Sequence, residues 1–133
     1  MGHPYILFHA GMLKFFISME HIDMIGQTGQ ESGQRVPVFN FCRICSLQEH
    51  KQSNRYTLIL KAGGERFGIT ADLVEDMMYI QEEDILDLEA PVINEKNRYL
   101  AGIMPMKDEN PIYILDILRL YGKISVLEPD YWF

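Results

Sequence analysis

Two cysteines separated by two residues form the group in this chain whose type and spacing most clearly suggest chemistry. Cys42 and Cys45 enclose Arg-Ile, and His50 follows shortly after. Such a pair can be a dithiol redox centre or half of a zinc site. A structural zinc site needs about four ligands, and the chain has only these 2 cysteines. Thioredoxin-like motifs normally carry Gly-Pro or a similar pair between the cysteines. We therefore interpret both as structural thiols and expect no bound metal.

A run of carboxylates is the second group that could take part in chemistry. Its members are Glu82, Glu83, Asp84, Asp87 and Glu89. Carboxylates at this density can bind a cation or act as general acids, but an acidic turn exposed to solvent has the same composition. The chain contains no phosphate-binding loop, nucleophile elbow, His-Glu-x-x-His or dinucleotide-binding glycine pattern. The sequence therefore predicts neither an enzyme nor a cofactor.

Length and charge exclude several further classes of protein. The chain has 133 residues, and 12 basic against 19 acidic side chains give it a formal charge of −7. Nucleic-acid binding normally requires clustered Lys and Arg, so we expect no nucleic-acid partner. No apolar run approaches the ~20 residues of a membrane span, and residues 1–13 lack the pattern of a signal peptide. We expect one cytoplasmic domain without direct membrane insertion.

Short β-prone segments separated by turn signals account for most of the chain. They are residues 5–8, 15–19, 36–41, 56–60, 66–70, 77–80, 99–104 and 112–115. Strands that recur every ~8–12 residues are typical of a small barrel or sandwich. We also predict a polar, mobile loop at 27–34 and a connection at 71–76. Short helices are expected at 42–47 and 116–121, the second ended by Gly122.

Methionine is unusually frequent, with 8 residues in the chain. Met24, Met77 and Met78 are among those that fall at predicted strand ends or loops. Flexible thioether side chains suit adaptable protein-binding surfaces, although core filling would explain about half of them. Neighbouring residues of a strand face opposite ways, so Met77 and Met78 should point to opposite sides of their sheet.

Four segments, in the correct order, resemble the CheW-like chemotaxis coupling domain, and the resemblance spans about residues 5–121. Each segment is weak evidence alone, and their order makes the set fairly specific. The four are the hairpin at 5–25, Gly-Gln-Arg-Val-Pro-Val-Phe-Asn-Phe at 33–41, Phe-Gly-Ile-Thr-Ala-Asp-Leu-Val-Glu-Asp at 67–76, and Tyr-Leu-Ala-Gly-Ile at 99–103 with Asp108 and Ile-Tyr-Ile-Leu-Asp-Ile at 112–117.

The chain departs from the family pattern just before its Pro-Val strand. Only residues 27–33 stand where the family has a further strand and its loop, so the first subdomain is shortened. The family's Glu and Arg, which resemble a charge pair, fall on Met24 and Ser32, and its Asp falls on Asn40. Loss of both charges together leaves neither unpaired. We expect an open strand edge beside this gap.

The resemblance implies an all-β fold in which two small SH3-like, five-stranded β-barrel subdomains share a core, with short helices and a truncated first barrel. Residues 1–133 would form a single CheW-like domain. Its approximate, partly intertwined subdomains would be 1–41 and 56–121, and residues 122–133 would form a C-terminal tail.

The resemblance also implies a cytoplasmic, non-enzymatic signalling adaptor. Members of the family bridge the helical tip of a chemoreceptor and the regulatory domain of a histidine kinase. An apolar groove between the subdomains suits an amphipathic helical hairpin. The positions that match this receptor groove are Ile22, Met24, Ile25, Val74, Met77 and Met78, and those that match structural turns are Gly33 and Gly102.

Two other functions stay open at this point. A CheW-like protein that has lost both partners would self-associate through the edge left by the missing strand, giving a homo-oligomer. A small-ligand-binding β-barrel protein would instead need a deep pocket with convergent polar groups, and the sequence offers no such set of residues.

Overall fold

Short strands make up most of the structure, a computed structural model that describes residues 2–88 and 97–133. Within these residues it has eleven strands, two α-helices and two 3₁₀ turns. The elements are β1 (His3–Ala10), β2 (Leu13–Ser18), β3 (Ile22–Gln27), β4 (Pro37–Phe39), α1 (Phe41–Ile44), β5 (Tyr56–Ala62), β6 (Glu65–Ala71), β7 (Leu73–Ile80), β8 (Leu86–Asp87), β9 (Leu100–Met106), β10 (Glu109–Leu115), α2 (Ile117–Ile124) and β11 (Tyr131–Trp132), with the 3₁₀ turns at Met19–His21 and Glu82–Asp84.

The strands form two open sheets. Sheet A has the order β7-β1-β2-β10-β9-β8, and sheet B has the order β11-β4-β6-β5-β3. The pairs β10–β2 and β4–β6 are parallel, and the other pairs are antiparallel. Residues 1–41 and residues 56–121 each contribute strands to both sheets, so the chain crosses between them repeatedly. The predicted all-β architecture with two SH3-like parts is confirmed, although neither sheet closes into a full barrel.

A cluster of aromatic rings lies at the centre of the core that the two sheets share. Phe8 of β1, Phe15 of β2 and Phe41 of α1 meet with ring centroids 5.1–5.4 Å apart. Strands β5 and β6 cover this cluster from sheet B, and α2 adds three buried residues at helical spacing. These surrounding core residues include Leu58, Leu60, Phe67, Ile69, Ile117, Leu120 and Ile124.

Hydrogen bonds of Asp72 fix the chain where it passes from sheet B to sheet A. Its backbone N–H donates to the carbonyl of His9 at 2.8 Å. Its buried carboxylate accepts from the backbone N–H groups of Gly11 and Asn54, each at 2.9 Å, and His50 Nε2 lies 3.6 Å away. Gly11 must be glycine here, since it has φ +56° and a Cβ would lie 2.5 Å from the Leu47 Cβ. One carboxylate thus joins both sheets and two loops.

The strand that follows Asp72 is longer than the sequence indicated. Strand β7 begins at Leu73, whereas residues 71–76 were expected to be a connection. Its first half pairs with β1 through Val74 and Leu73. Two acidic residues, Glu75 and Asp76, interrupt the apolar pattern of this half, which is why the alternation did not predict a strand.

Two of the three glycines predicted at turns or helix ends, Gly102 and Gly122, lie elsewhere. Gly122 lies inside α2, and the helix ends at Ile124 with Ser125 as its C-cap. Gly102 lies within β9 and not in a turn; a Cβ there would be 2.7 Å from the Leu86 carbonyl oxygen, so the close approach of β8 requires glycine. Gly33 has φ +76° in an exposed bend. The mobility predicted for the surrounding loop stays a prediction.

The expected open edge beside the Pro-Val strand is covered by the C-terminal tail. Strand β11 pairs with β4, placing Tyr131 opposite Val38. Phe133 then exchanges backbone hydrogen bonds with Val36 at 2.8 and 3.1 Å, and its ring is buried among apolar side chains of sheet B. The tail therefore supplies a fifth strand to sheet B, and this edge is not available to a second molecule.

Replacement of Asp72 by alanine should lower the free energy of unfolding by about 2 kcal/mol or more, because two backbone N–H groups lose their acceptor in a buried place. Urea denaturation followed by circular dichroism measures the loss. The exposed carboxylate of Asp76 provides the control, since Asp76→Ala should change stability by less than about 0.5 kcal/mol. Equal effects of the two substitutions would contradict the role of Asp72 in fixing the crossing between the two sheets.

Candidate protein-interaction site

The six residues predicted to bind a partner lie on two strands, and each strand is the edge of its sheet. Strand β3 is the outer strand of sheet B, and β7 is the outer strand of sheet A. An edge strand leaves one row of backbone groups and much of its side-chain surface open to a partner. The residues are Ile22, Met24 and Ile25 on β3, and Val74, Met77 and Met78 on β7.

A β-bulge aligns two isoleucines on one face of β3. Asp23 is an extra residue in the ladder with β5, so Ile22 lies opposite Leu60 while Ile25 lies opposite Leu58. Both leucines are buried in the shared core. Directly opposed residues of an antiparallel pair share a face of the sheet. Ile22 and Ile25 therefore both lie on the side of the shared core, although three positions separate them.

A second bulge aligns two apolar residues on one face of β7. Val74 lies opposite Phe8 and Met77 lies opposite Ile6, with one more residue between them on β7 than on β1. Phe8 belongs to the shared core, and alternation places Ile6 on the same face. Val74 and Met77, again three positions apart, therefore also lie on the core side. The bulges give the two edge strands matching pairs of apolar residues.

The remaining two methionines lie on the outer faces of the sheets. Met24 is opposite Ile59, which packs with Val36 and Phe133 on the far side of sheet B. Met78 is opposite Tyr5, which packs on the far side of sheet A. The prediction that Met77 and Met78 point to opposite sides is confirmed by this register. The predicted set thus divides into four residues on the core side and two outside it.

The core-side residues extend the shared core to the protein surface. Ile22 and Val74 are partly buried and pack against the core. Ile25 and Met77, the outer members of the two pairs, are each 42% exposed. Met78 is also 42% exposed and Met24 is 38% exposed, so neither of the adjacent methionines of β7 is buried. An apolar partner placed against either edge strand could therefore add to the existing core.

Both bulges carry an acidic residue that has a partner elsewhere in the fold. Asp23 pairs with Arg66 of β6 at 2.5 Å, and Arg66 also donates to Gln34 at 2.7 Å. Glu75 pairs with His9 of β1. Neither pair can be predicted from the sequence, because no local spacing connects residues 43 and 66 positions apart. Irregular, charged edges of this kind discourage strand addition, which leaves binding to the side chains.

The two cysteines are placed for packing. Cys42 is buried in the shared core and Cys45 packs against it. Burial raises the pKa of the Cys42 thiol to about 12. Burial also raises the pKa of Cys45 to about 11, against a hydrogen bond with Tyr99 that lowers it. Thiols that stay protonated at neutral pH neither bind zinc readily nor act as nucleophiles, in agreement with a structural role.

The acidic run contributes an exposed turn. Glu82, Glu83 and Asp84 form a 3₁₀ turn without a buried residue, and Asp87 lies on the short strand β8, while Glu89 lies outside the described residues. Among residues 2–88 and 97–133, no three His, Cys, Asp or Glu side chains are grouped so that they could hold a metal ion.

Two small open sheets around one shared core, with apolar side chains aligned on their edge strands, define the β-domain. Residues 30–125 match the CheW-like domain. The chain therefore belongs to the CheW-like family, a family of scaffolding proteins rather than enzymes. The match begins after β3, in agreement with the departures found in the first part of the chain.

Comparison of structures gives the same architecture. The fold is similar to the crystal structure of the scaffolding protein TtCheW from Thermoanaerobacter tengcongensis, with a TM-score of 0.70 and 16% sequence identity over 91% of this chain and 93% of that one. A search of curated proteins found no match in sequence. No helix in the described part of the chain has the length and apolar character needed to cross a membrane.

The raised pKa values predict that both cysteines of the folded protein react slowly with iodoacetamide at pH 8, and that urea makes both reactive. Intact-mass spectrometry counts the modified thiols. Ser125→Cys, which places a thiol on an exposed position, should be modified rapidly in the folded protein. Because unfolded thiols ionise near 9.0 while the folded ones stay protonated, stability should fall as pH rises above that value. Rapid modification of Cys42 in the native protein would contradict this account.

Proposed function

We propose that this protein is a non-enzymatic, cytoplasmic adaptor that couples the helical tips of chemoreceptors to a histidine kinase in chemotaxis-type signal transduction. Membership of the CheW-like family supports the general role. The observation that carries the receptor half is the alignment of Ile22 with Ile25 and of Val74 with Met77 by two bulges. These four residues offer an apolar surface that continues the shared core.

An amphipathic helix is the partner that such a surface suits. Its apolar side chains recur at three- and four-residue spacing and can pack between protruding side chains of a groove. A flexible methionine at the outer position adapts to helices of different sequence. In this proposal Ile22 and Val74 form the floor of the receptor site, and Ile25 and Met77 form its accessible sides.

Sheet B is the part of the protein to which we assign kinase binding. The strand that the family has before its Pro-Val strand is absent from the sequence, and β11 occupies the edge beside β4. A five-stranded sheet is thereby kept on this side of the protein. We propose that the regulatory domain of the kinase binds this protein through a barrel-to-barrel contact.

Charge placed on the core side of either edge strand should abolish receptor binding. Met77→Asp should weaken binding of a soluble receptor tip at least about thirtyfold, because a buried charge must be desolvated and an anchor is lost. Met78→Asp is the matched control, since the two residues are equally exposed and only Met77 faces the core side. Ile25→Asp and Met24→Asp form a second such pair. Isothermal titration calorimetry measures the affinities.

Folding and kinase binding are measured on the same four variants. All four should melt near the wild-type temperature, since none of these side chains is buried, and all should retain the kinase regulatory domain in a pull-down. Receptor binding that survives Met77→Asp and Ile25→Asp in folded protein would rule out the proposed receptor site. Loss of binding in all four variants would rule out the division into core-side and outer residues.

A further inference from the structure

We propose that a second copy of this chain docks on the surface around α2, with the two α2 helices antiparallel about a two-fold axis. The surface has an acidic side, an exposed leucine and a basic side, in that order along the helix. Its residues, called the α2 surface below, are Glu20, Glu82, Leu118, Arg119, Gly122 and Lys123.

Leu118 is the apolar centre of the α2 surface. The buried face of α2 is formed by Ile117, Leu120 and Ile124, while Leu118 points to solvent and is 61% exposed. Two neighbouring clefts meet at this side chain, because it lines both of them. A large exposed side chain at such a meeting point is a suitable anchor for a protein contact.

The clefts on the two sides of Leu118 carry opposite charge. The cleft toward the start of α2 is lined by Glu20, Glu82 and Asp116, with His21 and His3 beside the first two. The cleft toward the end of α2 is lined by Arg98, Arg119 and Lys123. On a chain with a formal charge of −7, this second cleft is a distinct basic region.

This order of charges makes the surface complementary to itself. A two-fold interface brings the same patch of both subunits together, so each part must suit the part that the axis places opposite it. Antiparallel α2 helices would set the acidic end of each against the basic end of the other. Arg119 already pairs with Asp116 at 3.4 Å, but an exposed pair of this kind is weak and can be exchanged.

Gly122 supplies the space that such a contact needs. Glycine is unfavourable inside a helix, and a Cβ at Gly122 would meet no atom of residues 2–88 and 97–133 within 4 Å. Within these residues, no close contact requires glycine at this position. In an antiparallel pair whose two-fold axis passes midway between Leu118 and Gly122 on the exposed face of α2, Leu118 of one copy faces Gly122 of the other. The missing side chain then admits the exposed leucine.

Sedimentation velocity of the full chain, over concentrations from micromolar to about 1 mM, tests the proposal. The wild type should form a concentration-dependent dimer. Glu20→Lys with Glu82→Lys, and separately Arg119→Glu with Lys123→Glu, should each weaken the dimer at least about tenfold, because like charges then face each other. A 1:1 mixture of the two variants should recover wild-type affinity, since both contacts become complementary again.

Gly122→Leu gives an independent measurement that changes no charge. It should improve helix formation and leave the thermal melt unchanged or raised, yet weaken the dimer at least about tenfold by filling the space. Met77→Asp should leave dimerisation unchanged, so failure of this proposal is distinct from failure of the receptor site. A wild type that stays monomeric, a species larger than a dimer, or a mixture that does not associate would overturn the proposal.

Discussion

The buried carboxylate of Asp72 is the contact on which the crossing between the two sheets, and with it the position of the edge strand β7, depends. It lies between β6 and β7 and accepts hydrogen bonds from Gly11 and Asn54, while its own N–H is bonded to His9. Buried polar groups favour one arrangement of their partners because any other leaves them unsatisfied. The start of β7 is therefore fixed beside β1, and Val74 reaches the shared core from the edge of sheet A.

Two extra residues then determine which apolar side chains a partner can reach. A regular strand exposes alternate residues on each face, so positions three apart would point to opposite sides. The bulges at Asp23 and between Val74 and Met77 remove this opposition. They also make the edges irregular, and their acidic residues pair with Arg66 and His9. The two bulges and their acidic residues thus make apolar side chains accessible to a partner and also discourage strand pairing.

Local apolar patterns and turn residues predicted most strands and both short helices, since these depend on local periodicity, whereas the shared core was implied by the family resemblance. Local patterns could not predict the face of each candidate residue, because register across a bulge is set by the neighbouring strand. They missed β11 as well: Tyr131 and Trp132 form a strand only through pairing with β4, some 90 residues away in sequence. The sequence predicts a helix end at Gly122 because local chemistry alone cannot distinguish a cap from a glycine inside the helix.

The separation of the surfaces has a consequence for how an adaptor of this shape would act. Ile25 and Met77 lie outside the close-packed aromatic cluster, and Leu118 lies on the solvent face of α2. Ligands at separate sites influence each other only through a conformational equilibrium that both shift. A core packed around Phe8, Phe15 and Phe41 offers little such freedom. Under the proposed function, the protein would therefore act by holding partners at high effective concentration, and signals would pass between the partners themselves.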